Sequence, residues 1–327
     1  MLNIKKDDFC SVMETCDGFF SVGQNGVFNI LQSKDKKIYI IVLDSQKIMM
    51  GINIRNSYVS YYPLQNVMLE PPIKAVLMDL DGTTLYSEEF WVHVIEETIR
   101  ITSHDIFFSM SEADMPFVSG HSVSDHLQYC IDKYYPTCSL ADAINIYYKI
   151  SCQELNALIN GQFNDMKIQP AFYLKEFLLY LIDNGIKIGL VTSGLYEKAY
   201  PEIWSVCSSL NLGRPEKVYN SIITAGNPLK DHHVGTLGEL SSKPHPWLYL
   251  EAAIVGLGIS FEERKHIIGI EDSGAGICAL CAAGIPAIAM KNGNVIKSGL
   301  NSLCIDICDT LLEIKEKYFD DTVGFSY

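Results

Sequence analysis

Five short apolar runs constrain this chain more than any other feature: Ile73–Met78, Ile186–Val191, Ser221–Thr224, Ile267–Ile270 and Ala287–Met290. Each is too short for a buried helix, its apolar residues are largely consecutive rather than alternating, and most are followed by an amphipathic helical pattern. A strand apolar on both faces must be covered on both, so the runs predict an α/β fold with a doubly wound parallel sheet. Between the first two runs the chain reads almost wholly helical, over Glu88–Ser103, Ser124–Tyr135, Leu140–Asn160 and Ala171–Asn184. A small helical domain is therefore expected as an insert in the sheet domain.

The first seventy residues follow another rule. Phe19–Val22, Val27–Gln32, Ile38–Leu43 and Ile48–Ile54 are β-prone and separated by GQNG, SKDKK and DSQ, which is turn chemistry at hairpin spacing. Tyr58–Tyr62 adds a further strand before Pro71-Pro72. The expected division is a small antiparallel β module at 1–70, a core at 71–86 and 170–320, and a helical cap at 87–169. Seven basic and seven acidic residues leave the module neutral, so the whole net charge of −14 belongs to the remainder. Its aromatic and methionine content suggests self-association or docking onto the rest of the chain.

An acidic chain has no field with which to grip nucleic acid or an anionic membrane surface, so both are excluded as partners. The start MLNIKKDDFC carries no apolar h-region, and the longest weakly polar run, Ile277–Met290, is broken by Gly284 and Pro286. It falls short of the about 20 residues that a bilayer requires, so a soluble cytoplasmic protein is expected. Cys278 and Cys281 form a CxxC without a second pair or a histidine pair at finger spacing. They are read as packing thiols, as are Cys304 and Cys308.

The chemistry gathers at strand ends. The first run ends in Asp79-Leu80-Asp81-Gly82-Thr83, and alternation places Asp79 and Asp81 on one side, at the crevice of an open α/β sheet. Paired carboxylates are costly unless a cation or a proton sits between them, and Gly82 permits a turn that aims backbone amides at a ligand. The second run ends in Thr192-Ser193-Gly194, a hydroxyl with free amides suited to phosphate oxygens. Lys243-Pro244 opens a further helix in this reading. Glu271-Asp272-Ser273 again ends an apolar run in acids.

DLDGT, VTSG, KPHPWLYLEAA and GIEDSGAGICALCAAG resemble the four ordered motifs of the haloacid dehalogenase superfamily. The helical insert resembles the cap of its β-phosphoglucomutase and small sugar or polyol phosphatase branch. The resemblance covers about Ile73–Leu312. It implies Mg2+-dependent phosphoryl transfer through an aspartyl phosphate, acting on a small phosphorylated metabolite. It implies Asp79 as nucleophile and Asp81 as general acid and base. Thr192 and Lys243 would hold the phosphoryl group, with Gly82, Thr83, Ser193 and Gly194 around it. Asp79, Asp81, Glu271 and Asp272 would form the metal site, and Trp91 and His121 would be cap contacts to substrate.

The second aspartate matters because an alkoxide leaving group needs a proton and a halide does not. Asp81 therefore favours phosphate esters over haloacids. Mutases of this type carry a histidine where Trp91 stands, an arginine where Val123 stands and a lysine where Leu195 stands. These departures favour a phosphatase acting on a monophosphate. A phosphomutase, and an inactive protein that binds a metabolite or a partner, remain the alternatives. The hinge has Tyr86 where an acid is common, and the loop at 229–242, with His232 and His233, is longer than usual.

Overall fold

The computed structural model describes residues 9–34, 36–43, 47–53, 59–64, 67–111, 114, 123–160, 168–225 and 240–320. The chain forms two compact units, one of Met1–Thr84, Ala171–Ala199 and Gly213–Tyr327, the other of Leu85–Pro170 and Tyr200–Leu212. The first seventy residues thus join the core unit, and 200–212, expected in the core, group with the helical insert. Among the described residues no helix is long and apolar enough to cross a membrane.

The N-terminal part is a five-stranded antiparallel meander of β1 (Phe9–Val12), β2 (Asn29–Ser33), β3 (Ile38–Val42), β4 (Ile48–Ile52) and β5 (Ser60–Leu64). Both faces are apolar. Leu31, Ile38, Ile40, Met50, Ile52 and Leu64 join one continuous cluster with Leu248, Tyr249, Ala252 and Ala253 of the core. Val27, Ile30, Tyr39 and Ile41 form a smaller cluster on the other side, covered by Phe20 and Val22.

Phe19–Val22 is not a strand of this sheet. The Asp17 carboxylate takes hydrogen bonds from the Thr15 hydroxyl, the Phe19 N–H and the Tyr61 hydroxyl, and Gly18 turns the chain at φ +68°. The result is a tight turn that lays Phe20 edge-on against Tyr61, leaving only Ser21 bridged to Glu14. β1 was not expected, because FCSV is too short to carry a period.

The core begins with β6 (Ala75–Asp79), after which the chain enters the second unit. There β7 (Leu85–Tyr86) pairs with β8 (Gln169–Pro170), and between them run helices Glu88–Ser103, Val123–Tyr134 and Leu140–Ile159. Phe90, Val94, Ile95 and Ile99 are buried at helical spacing on the first, and Ala143, Tyr147, Ile150, Leu155 and Leu158 on the third.

Asp114 is a polar hub of this unit. Its buried carboxylate accepts from the Ser111 N–H at 2.9 Å, the Ser111 hydroxyl at 2.7 Å, the Tyr129 hydroxyl at 2.8 Å, Lys133 Nζ at 2.5 Å and the Tyr134 hydroxyl at 2.6 Å.

The chain returns through the helix Leu174–Asp183 to β9 (Lys187–Thr192), β10 (Ser221–Thr224), β11 (Ile267–Glu271), β12 (Ala287–Met290) and β13 (Asp306–Cys308). The helix starts three residues later than expected, after Tyr173 at φ +65°. The core sheet runs β10-β9-β6-β11-β12-β13, with every pair parallel. β6 and β11 are buried along their whole length, as consecutive apolar residues require. β13, which carries the packing thiol Cys308, is too short for a strand pattern to show in the sequence. The order reverses direction at β6, so the ends of β6, β9 and β11 form the crevice of a topological switch point. The described cysteines are free thiols, Cys278 and Cys308 among the buried ones.

Candidate active site

Lys243 stands at the centre of that crevice. Its ammonium has three protons and finds three acceptors: an Asp79 carboxylate oxygen, Glu271 Oε1 at 2.6 Å and the Val191 carbonyl at 2.9 Å. It also lies over the Tyr249 ring, 4.9 Å from the centroid. The Lys243 N–H donates to Ser193 Oγ at 3.2 Å. Lys243 does not open a helix, as the sequence suggested; the helix starts at Trp247, with Pro244 and Pro246 between. Burial alone would lower the lysine, but Asp79 and Glu271 outweigh it and hold its pKa above the ordinary value.

Asp79 ends β6 and is bracketed by its turn. The Thr84 hydroxyl donates to the Asp79 carbonyl at 2.5 Å, and the Thr84 N–H to the Leu80 carbonyl. Burial first, then the Glu271 charge, push the Asp79 carboxyl well up, with Lys243 opposing both. Asp272 is likewise pushed up to about 7 by burial and by Glu271.

Carboxylate atoms of Asp79, Glu271 and Asp272 lie within 4.8 Å of one another. An oxygen-only cluster in which burial and the Glu271 charge push Asp79 and Asp272 toward protonation suits a hard dication such as Mg2+. Its members are not equivalent. Glu271 Oε1 accepts from Lys243 and from the Tyr249 hydroxyl at 2.7 Å, and Oε2 from the Ser273 N–H at 3.1 Å and hydroxyl at 3.0 Å. Four donors fill the four lone-pair positions of this carboxylate. Glu271, expected as a ligand, lies within the carboxylate trio and also anchors Lys243, whereas Asp272 does not share that contact.

Asp81 is outside the trio. Its half-exposed carboxylate pairs with Lys198 at 3.4 Å, and its charge adds to the upward push on Asp272. Gly82 has φ +85°, and a Cβ there would come 2.3 Å from Asp272 Oδ2, so the turn and the acid share space that admits only glycine. Asn292, in the turn after β12, donates to the Gly82 carbonyl at 3.0 Å.

The Thr192 hydroxyl accepts from the Gly194 N–H at 3.0 Å, curling the end of β9 into a turn with Ser193 exposed. Thr83 is fully buried, so its hydroxyl does not face solvent. Trp91 donates to Glu202 at 2.7 Å and packs on Phe90, both within the second unit. His121, His232 and His233 lie outside the described residues, as does most of the 229–242 loop.

Tyr249, Asn292 and Lys198 are not distinguished by the sequence. Tyr249 hides in an apolar helical pattern, and Asn292 in an ordinary polar turn.

The sequence model of the family described as haloacid dehalogenase-like hydrolase matches residues 76–208. Among solved structures, CbbY from Rhodobacter sphaeroides, described in complex with phosphate, superposes with a TM-score of 0.52 at 14% identity, over 74% of this chain and 96% of its own. A mutant of CbbY is described in complex with xylulose-(1,5)bisphosphate. A protein described as a predicted phosphoglycolate phosphatase from Haemophilus somnus gives 0.54 at 15%, over 75% and 97%. A HAD family hydrolase from Deinococcus radiodurans with bound phosphate and sodium gives 0.51 at 20%, over 75% and 95%. These likenesses are of fold.

Proposed function

Residues 76–208 are those of a haloacid dehalogenase-like hydrolase, and from that premise we propose that the protein is a Mg2+-dependent phosphatase of a small phosphorylated metabolite, a sugar or polyol monophosphate. The observation that carries the reading is the buried Lys243 held between Asp79 and Glu271 at the switch point of the sheet. A fixed positive charge beside a carboxylate at a strand end fits phosphoryl transfer, where positioning and charge stabilisation do most of the work.

In this reading an Asp79 carboxylate oxygen attacks phosphorus, forming an aspartyl phosphate as the bond to the leaving oxygen breaks. Asp81 donates a proton to that oxygen. Its carboxylate then takes a proton from water, the water oxygen attacks phosphorus, and inorganic phosphate leaves with Asp79 restored. Lys243 stabilises charge on the phosphoryl oxygens, and the Ser193 and Gly194 turn, with Thr192, borders them. Mg2+, bound by Asp79, Asp272 and the Asp81 carbonyl, would supply charge neutralisation and keep Asp79 ionised. The complex of mutant CbbY described with xylulose-(1,5)bisphosphate supports a phosphorylated sugar as the substrate class.

The test is phosphate release from a panel of phosphate esters with Mg2+, with and without chelator, in wild type and Asp79→Asn. Metal-dependent release that Asp79→Asn abolishes is expected. Turnover that requires a bisphosphate and releases no phosphate would make the protein a mutase. Inertness toward every ester would make it a binding protein.

A further inference from the structure

We propose that Tyr62 of the N-terminal sheet is a positioning residue for Lys243, acting through His245. This rests on the reading of Lys243 as the group that stabilises the transferring phosphoryl. Tyr62 lies on β5 opposite Met50 and joins the face of the sheet that packs into the core cluster. Its hydroxyl is 2.7 Å from His245 Nδ1, and its ring stands edge-on to those of His245 at 5.9 Å and Trp247 at 6.1 Å. His245 is two residues from Lys243, and Trp247 opens the helix that carries Tyr249 beneath the ammonium.

The segment needs such a support. Pro244 and Pro246 have no N–H, so Lys243–Pro246 has two backbone donors, and these go to Ser193 Oγ and the Ser242 carbonyl. Neither bond ties the segment to the sheet that flanks it. Tyr62 does, against an imidazole that burial holds toward its neutral form. Lys243 must reach Asp79, Glu271 and Val191 at once, so a small shift of its backbone breaks all three contacts together. The matched family segment begins at residue 76, so the brace is built from a part of the chain outside it. The N-terminal sheet is then a structural component of the catalytic crevice.

The test uses the full chain with p-nitrophenyl phosphate and Mg2+, in Tyr62→Phe, His245→Ala, His245→Asn and the Tyr62→Phe/His245→Ala double variant. Tyr62→Phe keeps the ring and loses the hydroxyl. It should lower kcat about tenfold with KM within about twofold, the pattern of a displaced catalytic group. His245→Ala should match it, the double variant should lose nothing more, and His245→Asn, which keeps a polar atom near Nδ1, should recover most of the rate.

Amide hydrogen exchange over residues 245–250 should quicken by at least about threefold in Tyr62→Phe with Tm little changed. Wild-type kcat and exchange in Tyr62→Phe, or losses that multiply in the double variant, would overturn the proposal. If the wild type cleaves no ester, or Lys243→Met keeps full activity, the phosphatase reading fails instead. The exchange comparison still decides the brace.

Discussion

Lys243 and Glu271 form an ion pair shut away from solvent, Nζ 2.6 Å from Oε1 with the side chains 5% and 0% exposed. The same ammonium holds Asp79, so one cation balances two carboxylates in a site that water does not screen. Removing it leaves like charges face to face, which costs far more than losing a surface pair.

Lys243→Met should therefore lose about 3–5 kcal/mol of unfolding free energy at pH 8. The loss should shrink at pH 5, where Asp79, pushed up by burial, can take a proton, and phosphate release should fall about 10²–10³-fold. Denaturant unfolding at the two pH values, with kinetics alongside, checks this. An equal stability loss at both would count against the charge explanation.

Glu271 and Asp272 are adjacent acids with different hydrogen-bond partners, and the proposal gives them different tasks. Glu271→Gln cannot accept four donors, so it should lower kcat more than tenfold, on the order of a lost charge-assisted hydrogen bond. With Glu271 acting as the anchor of Lys243, the Mg2+ concentration for half-maximal rate should move less than in Asp272→Asn. Asp272→Asn should raise that concentration by at least about tenfold. Mg2+ titrations of the two variants distinguish the roles, and the reverse pattern would make Glu271 the ligand.

Burial and Glu271 push the Asp272 carboxyl up to about 7 in the folded, metal-free protein, against about 3.9 in an unfolded chain. Between these values the unfolded chain has released the proton and the folded one keeps it, so folding stability falls as pH rises. Metal-free protein should lose about 1 kcal/mol per pH unit across that window, and Asp272→Asn should flatten the slope. Mg2+ should stabilise more at pH 8 than at pH 5 and release protons on binding below pH 7. Melting temperatures from pH 5 to 8, with and without metal, measure each effect.

The placement of the candidate site was legible where acids and hydroxyls end apolar strands. DLDGT, VTSG and the acids after β11 carry Asp79, Thr192 and Asp272 into one crevice because parallel strands end on one side. The different surroundings of Glu271 and Asp272 were not legible, because sequence shows two neighbouring acids and not which one the Lys243, Tyr249 and Ser273 donors saturate. Tyr249 and Tyr62 were hidden for the same reason, each being apolar by pattern and polar only at the tip. β1 and β13 are too short for any period to show. The turn at Asp17 overrode the β propensity of Phe19–Val22 because local hydrogen bonds to one carboxylate outweighed a marginal edge strand.

Asp114 carries a further prediction, in the helical unit. Burial pushes its carboxyl up, but hydrogen bonds from Lys133, Tyr134, Ser111 and Tyr129 outweigh it and hold the group well below the usual carboxylate range. A depressed folded pKa contributes stability that is fully present above about pH 4 and is lost as pH falls further. Asp114→Asn cannot serve all of these donors, so it should cost about 1–3 kcal/mol at pH 7, and the gap to wild type should narrow below pH 4. Urea unfolding at pH 7 and pH 3 reads both values. A variant equally destabilised at the two pH values would show that Asp114 acts through shape and not through its charge.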